Sequence, residues 1–419
     1  GGAAQPIGDD IEGRFSGAAV ENRLFVQTNW EASNGRVLEI DLENPRRENW
    51  REVIPHTDAV IEDFSLCGGK LFVNYLDNVK SRLRVFDPDG SHVRDVEFPA
   101  LGSVSGVYGE WDSDEAFFSF SSFHIPSTIY RDIVSTGERS IWAKLDVPVD
   151  SDQFELKQVF YTSKDGTRVP MFLLYRKGIK LDGHNPTLLY GYGGFNVSLT
   201  PSFSARAVCW TEQGGVYAVA NLRGGGELGE QWHEAGMLDR KQNVFDDFYA
   251  AARWLIDRGY TNPNRLAIAG GSNGGLLVGA AITQHPELYR AAVCSYPLLD
   301  MLRYHRFLVA RFWVPEYGSS EDREQFEVLR AYSPYHNVRT GTKYPALLLI
   351  TGDSDTRVDP LHARKMAALM QASTGSDRPV LLHYDTKAGH SRGRPVSTQI
   401  EDLAYELGFL FDQLGVKVK

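Results

Sequence analysis

The stretch Leu266-Ala-Ile-Ala-Gly-Gly-Ser-Asn-Gly-Gly-Leu-Leu277 decides how this chain folds. Its first four residues are a short continuous apolar run, the pattern of a strand buried on both faces of a parallel sheet. Its last residues open a helical pattern over 275–284. Between them, Gly270-Gly-Ser-Asn-Gly274 matches G-x-S-x-G in the setting that motif requires, a strand before it and a helix after it. The reason is steric. A serine on so tight a turn needs glycine two residues away on either side, because side chains there would clash. The turn lifts the hydroxyl above the sheet, beside the N–H groups of a helix N-terminus. Ser272 is therefore a candidate nucleophile; a small-residue turn that only packs tightly is the other reading of the same residues.

Outward from this point the same texture continues. Apolar runs at Thr187–Tyr190, Val216–Ala220, Ala291–Cys294, Ala346–Ile350 and Val380–Tyr384 alternate with helical patterns at 243–258, 360–372 and 396–414. The last helix carries Ile400, Leu403, Ala404, Leu407, Leu410, Phe411 and Leu414 as a one-sided stripe. Strand–helix alternation predicts an α/β domain, doubly wound around a mostly parallel sheet, over residues 148–419.

Residues 1–147 read differently. Short alternating strands such as Arg23–Gln27, Val37–Asp41, Lys70–Asn74, Leu83–Asp87 and Glu115–Phe120 are separated by Asn-Gly, Gly-Gly and Asp-Gly turns. A loose similarity recurs about every 45 residues, each unit offering about four strands, the content of one β-propeller blade. About three units fit. Three blades cannot close a ring, since propellers typically use four to eight. The expectation is a partial, all-β propeller; an independent β-sandwich is the alternative.

Composition narrows the function. At 419 residues the chain is long enough for two or three domains, and 42% hydrophobic with 23% charged residues is ordinary for globular proteins. The net charge of −10 argues against a nucleic-acid partner, whose phosphates demand clustered cations. No apolar stretch approaches the ~18 residues of a membrane span. Cys67, Cys209 and Cys294 lie far apart and are expected to be buried free thiols. Gly1–Gln5 lack signal-peptide character, and the missing initiator Met leaves export open beside a cytoplasmic location.

A serine nucleophile needs a base, and the base needs an orienting acid; in this fold the chain order is Ser, Asp/Glu, His. The loop Thr351-Gly-Asp-Ser-Asp-Thr-Arg-Val358, at a strand's C-terminal end, offers Asp353 and Asp355, and Asp359 follows directly. Of the histidines after it, His362 falls in a helix and His383 in a strand. His390 lies on the glycine-flanked loop Lys387-Ala-Gly-His-Ser-Arg-Gly393 and is the candidate base.

With these motifs in place the sequence resembles the prolyl oligopeptidase family, serine peptidases built from an α/β-hydrolase domain and a seven-bladed propeller. The resemblance rests on Leu189-Tyr-Gly-Tyr-Gly-Gly-Phe-Asn196, Asn221-Leu-Arg-Gly-Gly-Gly-Glu227, Gly270–Gly275, Gly352–Val358 and Ala388-Gly-His390, and covers nearly all of 147–419. It implies Ser272 as nucleophile, Asp355 as orienter and His390 as base. It implies an oxyanion hole formed by the Tyr192 hydroxyl and the Asn273 backbone N–H. It also implies a proline pocket floored by Trp313 and lined by Phe195, Leu298, Val309, Tyr317 and Val358, with Arg357 binding the P2 carbonyl. Leu298 stands where a valine is usual in the family, a departure that narrows the pocket. Proline is apolar and rigid, so an aromatic slot without an acid suits it.

The implied activity is hydrolysis of short peptides after proline through an acyl-enzyme, with no metal or organic cofactor, no membrane partner and a monomeric full-length protein. A non-catalytic module or inactive fragment, and an acylaminoacyl peptidase or esterase of the same fold, are the alternatives. Family members carry part of the hydrolase domain before the propeller and about four further blades, so the chain reads as an N-terminally truncated fragment whose open site would filter substrates poorly by size. Weaker motifs carry nothing: Gly224-Gly-Gly226 lacks the Lys-Ser/Thr of a phosphate loop, and His233-Glu-Ala-Gly236 lacks the second histidine of a metalloprotease helix. Asp9-Asp10 and Asp246-Asp247 read as solvated or capping acids.

Overall fold

A computed structural model of the chain describes residues 6–390 and 395–418. The reading made on Gly1–Gln5, and the end of the His390 loop at Ser391–Gly393, lie outside the described residues. Two compact units are present. The first runs to Val149, with the short returns Thr200–Phe203 and Glu227–Gln231, and the second comprises the rest. The division falls two residues beyond the expected one.

The first unit consists of three four-stranded antiparallel sheets in simple chain order. They are β1–β4 (Phe15–Val20, Arg23–Thr28, Arg36–Asp41, Arg51–Ile54), β5–β8 (Val60–Cys67, Lys70–Asp77, Lys80–Phe86, His92–Val96) and β9–β12 (Ser103–Tyr108, Glu115–Ser121, Thr128–Ile133, Arg139–Lys144). Gly68 and Gly69 take φ of 59° and 69° in the two-residue turn closing Cys67 against Lys70, the left-handed pair that tight hairpins need. The middle sheet decides against a sandwich. On β6, Leu71, Val73 and Tyr75 join a core with Phe25, Val37 and Ile54 of the sheet before, while Phe72 joins Val104, Phe118 and Phe120 of the sheet after. A strand buried on both faces between two further sheets is a stacked blade, so this unit is a partial β-propeller of three blades.

The second unit is built on one eight-stranded sheet. Its strands are β13 (Phe154–Thr162), β14 (Arg168–Arg176), β15 (Thr187–Gly191), β16 (Val216–Ala220), β17 (Leu266–Gly271), β18 (Ala291–Ser295), β19 (Ala346–Gly352) and β20 (Val380–Asp385). Their spatial order is β13-β14-β16-β15-β17-β18-β19-β20. From β16 to β20 all pairings are parallel, and the β13–β14 hairpin adds an antiparallel edge. That hairpin was not anticipated. Its signal is the Asp165-Gly166 turn between two runs of nine strand residues.

The helices are α1 (Ala205–Glu212), α2 (Glu230–Glu234), α3 (Gln242–Asp257), α4 (Asn273–Gln284), α5 (Val314–Tyr317), α6 (Arg323–Tyr332), α7 (Leu361–Ser373) and α8 (Val396–Leu414). Every residue of β16 and the first five of β17 are buried, so both faces of the sheet centre are covered, as an α/β-hydrolase arrangement requires. The connection after β15 runs to β16 on one side and the connection after β17 runs to β18 on the other, which makes the ends of β15 and β17 the switch point where α/β sheets bind ligands.

Two sequence expectations are corrected. Cys209 is exposed: α1 buries Ala207, Val208, Trp210 and Thr211, and residue 209 falls on its other side. Asp247 is neither solvated nor a cap. It is fully buried on α3, where it accepts from the Arg223 guanidinium (Nη2 at 2.6 Å) and from the Arg223 N–H at 3.1 Å. Arg223 also reaches Asp165 on the β13–β14 turn, tying hairpin, helix and the 221–226 segment together. Breaking such a buried pair leaves an uncompensated charge costing about 3–5 kcal/mol. Asp247→Ala is therefore expected to lower Tm by several degrees or more, and the Arg223→Met/Asp247→Leu double variant to recover much of the loss. Thermal denaturation of the three proteins is the check; an unchanged Tm in the single variant would mean that Asp165 alone holds Arg223.

Candidate active site

Ser272 sits where β17 becomes α4. Its backbone takes φ 57° and ψ −117°, a conformation that non-glycine residues adopt only when their surroundings impose it. The surroundings do so from both sides. The Ser272 N–H donates to Ser295 O on β18 at 2.8 Å, and Ser272 O accepts from Gly275 and Leu276 in the first turn of α4. A Cβ on Gly270 would lie 2.3 Å from the Gly274 carbonyl oxygen, which is why the turn admits no larger residue there. The Asn273 N–H lies at the N-terminus of α4, where helix amides point toward an approaching negative charge.

The groups expected around Ser272 converge on it from the loops after neighbouring strands. His390, beyond β20, places Nδ1 2.7 Å from Asp355 Oδ2. The other Asp355 oxygen accepts from the Arg357 and Val358 N–H groups, both at 2.9 Å, so this carboxylate is buried and fully engaged. Asp353 instead accepts from the Tyr384 hydroxyl, and Asp359 caps the Leu361 N–H at the start of α7. Of the other late histidines, His362 is buried with Nδ1 accepting from the Leu299 and Asp300 N–H groups, and burial lowers its pKa to about 4. His383 stays within β20, beside Asp402.

Tyr192 follows β15 directly. Burial raises its pKa above the usual phenol value, and a hydrogen bond with the Ser272 side chain offsets only part of that rise. The hydroxyl therefore keeps its proton and remains a donor. Ser272, Tyr192, Arg357 and His390 face one cavity of about 650 Å³. Its lining also carries a side chain pair that sequence reasoning missed, Arg206 donating to Glu406 at 2.7 Å. They lie on α1 and α8, 200 residues apart, and no local pattern links them.

The expected pocket residues divide. Phe195, Trp313 and Tyr317 form an aromatic cluster, Phe195 meeting Trp313 edge-on at 6.3 Å between centroids and Tyr317 at 5.4 Å. Leu298, Tyr317 and Val358 are buried, whereas Val309 is exposed. Of the expected substrate-binding residues, only Arg357 lines the cavity with Ser272. The Asn273 side chain has a task the motif did not disclose: Nδ2 donates to Tyr192 O at 2.6 Å, and Oδ1 accepts from the Tyr317 hydroxyl at 2.8 Å. The residue after the elbow serine thus clamps the Tyr192 loop to the aromatic cluster. Among the described residues, no group of three His, Cys, Asp or Glu side chains is placed to hold a metal, and no helix is long and apolar enough to cross a membrane.

Comparison with known proteins identifies the family. A model of the prolyl oligopeptidase family matches residues 201–417, and a model of the prolyl oligopeptidase N-terminal β-propeller domain matches 6–145. The prolyl endopeptidase of Elizabethkingia meningoseptica is 42% identical over 395 residues, covering 94% of this chain and 56% of that protein. The prolyl endopeptidase of Dictyostelium discoideum is 38% identical, covering 95% and 54%. A structure from a mechanistic study of two prolyl endopeptidases superposes with a TM-score of 0.93 at 50% identity, covering 97% of this chain and 60% of that one. Prolyl oligopeptidase B from Galerina marginata, bound to a 35mer hydrolysis and macrocyclization substrate, superposes with a TM-score of 0.92 at 33% identity, covering 97% and 58%. The chain spans a little over half the length of these relatives. With one family model covering just over half of its residues and a second covering the blades, the chain belongs to the prolyl oligopeptidase family.

Proposed function

We propose that this chain carries the chemistry of a serine endopeptidase that cleaves short peptides on the carboxyl side of proline. One juxtaposition carries the reading: an elbow serine, a histidine held by a buried aspartate, and a tyrosine donor facing the same cavity. Ser272 Oγ attacks the scissile carbonyl carbon, and its proton passes to His390 Nε2. Asp355 fixes the imidazole through Nδ1 and stabilises the imidazolium that forms. The carbonyl oxygen becomes an oxyanion between the Tyr192 hydroxyl and the Asn273 N–H, donors already in place before the charge develops. Collapse breaks the C–N bond, and His390 returns the proton to the departing amine. Water then repeats the sequence on the acyl-enzyme, releasing the peptide that ends in proline, with a free carboxylate, and regenerating Ser272.

Proline specificity in this reading comes from Trp313, Phe195 and Tyr317, whose edge-on packing gives a rigid aromatic surface. Leu298, Val309 and Val358 complete the pocket, and Arg357 takes the P2 carbonyl. The names of the relatives, prolyl endopeptidases among them, support the substrate class. The reading assigns residues 1–147 to the partial propeller and 148–419 to the peptidase domain. It also holds that the full-length protein is a cytoplasmic monomer needing no cofactor.

Ser272→Ala is expected to abolish both turnover of a Gly-Pro anilide and labelling by a fluorophosphonate probe, because this serine alone occupies the elbow. Stoichiometric labelling of the alanine variant would remove the assignment. Turnover of an acetyl-alanyl anilide or p-nitrophenyl acetate, with none of the proline substrate, would favour the acylaminoacyl peptidase or esterase alternative.

Trp313→Ala is expected to lower kcat/KM for the proline substrate several-fold more than for its alanine analogue, since ring stacking contributes about 0.5–1.5 kcal/mol beyond the area buried. Steady-state kinetics on the pair decides it. Equal losses on both would make Trp313 a structural residue.

A further inference from the structure

The Tyr192 loop is held from beneath by charges that the proposed mechanism does not use. Lys241, just before α3, is completely buried. Its ammonium donates to Gly193 O at 3.0 Å and to Glu316 Oε1 at 3.2 Å. The same Glu316 oxygen accepts from the Phe195 N–H at 3.1 Å, and Oε2 lies 2.9 Å from His233 Nε2. Two backbone groups on either side of Gly194 are therefore bonded to one buried ion pair. Burial would raise the pKa of Glu316, but the His233 hydrogen bond, the Lys241 charge and the Phe195 N–H more than reverse that and lower it. For Lys241 burial prevails and lowers the pKa, with Glu316 opposing.

The loop needs such support. Phe195 and Asn196 both take φ of 57°, and consecutive left-handed non-glycine residues persist only where contacts impose them. Glu316 belongs to α5, between Trp313 and Tyr317, and the Lys241 ammonium lies 5.2 Å from the centre of the Tyr317 ring. Tyr317 leads through Asn273 back to the Tyr192 carbonyl. The bonds form a closed circuit with the proposed oxyanion donor on one side and the proposed proline pocket on the other.

We propose that Glu316, braced by Lys241 and His233, is a positioning residue that sets the Tyr192 hydroxyl and the Trp313 pocket wall through one buried carboxylate. It touches no substrate and acts through the 192–195 loop and through α5. The proposal rests on the peptidase reading above. Buried ion pairs contribute little net stability compared with well-packed apolar groups. What this pair supplies is geometry, because carboxylate and ammonium together bind a donor and an acceptor two residues apart.

The test is a double-mutant cycle on the 419-residue chain, with kcat expressed per fluorophosphonate-labelled site so that misfolded protein drops out. Tyr192→Phe alone is expected to lower kcat by about 100-fold or more, as loss of one oxyanion donor does. Glu316→Gln alone is expected to lower kcat at least ten-fold and to shrink the preference for proline over alanine. On the Tyr192→Phe background, Glu316→Gln should then have little further effect on kcat, because the donor it positions is gone. A merely structural Glu316 would multiply its effect with that of Tyr192→Phe and leave the proline preference unchanged, which would overturn the proposal. If Glu316→Gln does not fold, Lys241→Met takes its place in the same cycle, with the same two outcomes. A parent chain that neither turns over the proline substrate nor labels at Ser272 removes the peptidase reading and this proposal with it. An active parent with multiplicative effects removes the proposal alone.

Discussion

The backbone between β17 and α4 reverses at a single residue, and the peptidase unit is arranged around that constraint. Ser272 can hold φ 57° only because its N–H is bonded to β18, its carbonyl is bonded within α4, and Gly270 leaves the Gly274 carbonyl room to pass. A conformation of that kind costs about 1–3 kcal/mol, and it is placed at the end of an inner strand whose first five residues are buried. The elbow cannot adjust, so the other groups must come to it. Tyr192, Asp355 and His390 do so from the ends of β15, β19 and β20, on loops whose starting points are set by the sheet register.

Loops that carry chemistry need holding, and in this unit buried charge holds them. Arg223 and Asp247 pin the 221–226 segment to α3, and the Gly224 carbonyl of that segment accepts from the Asn196 N–H at the end of the Tyr192 loop. Lys241 and Glu316 grip the same loop at Gly193 and Phe195. Apolar packing could fill those spaces with equal or greater stability, but it could not fix backbone donors and acceptors in a chosen direction. The directional bonds are made by ions because an unpaired backbone group at such depth would itself be costly. The first unit solves a simpler problem. Its blades rely mainly on apolar packing, with β6 buried against the sheets before and after it, and one ion pair, Arg94 with the buried Asp132, joins the second sheet to the third.

Much of this was legible in the chain because the signals are local. Period-two strands with left-handed turns, apolar runs followed by helical stripes, and a serine between spaced glycines each declare themselves within about ten residues, since they follow from backbone sterics and from burial of one face. Ser272 on its elbow and His390 on its loop belong to that class. What only the tertiary structure decided involves residues brought together by strand order. These are the burial of Asp247, the clamp made by the Asn273 side chain, and the bonds from Glu316 to Phe195 and Lys241 across 121 and 75 residues of sequence. Among Asp353, Asp355 and Asp359, local pattern left the choice open and the family resemblance alone singled out Asp355, which lies beside His390. A carboxylate on a helix reads the same in sequence whether it meets water or a buried ammonium. The difference lies in the desolvation imposed by elements far away in the chain, and that is settled only when the sheet assembles.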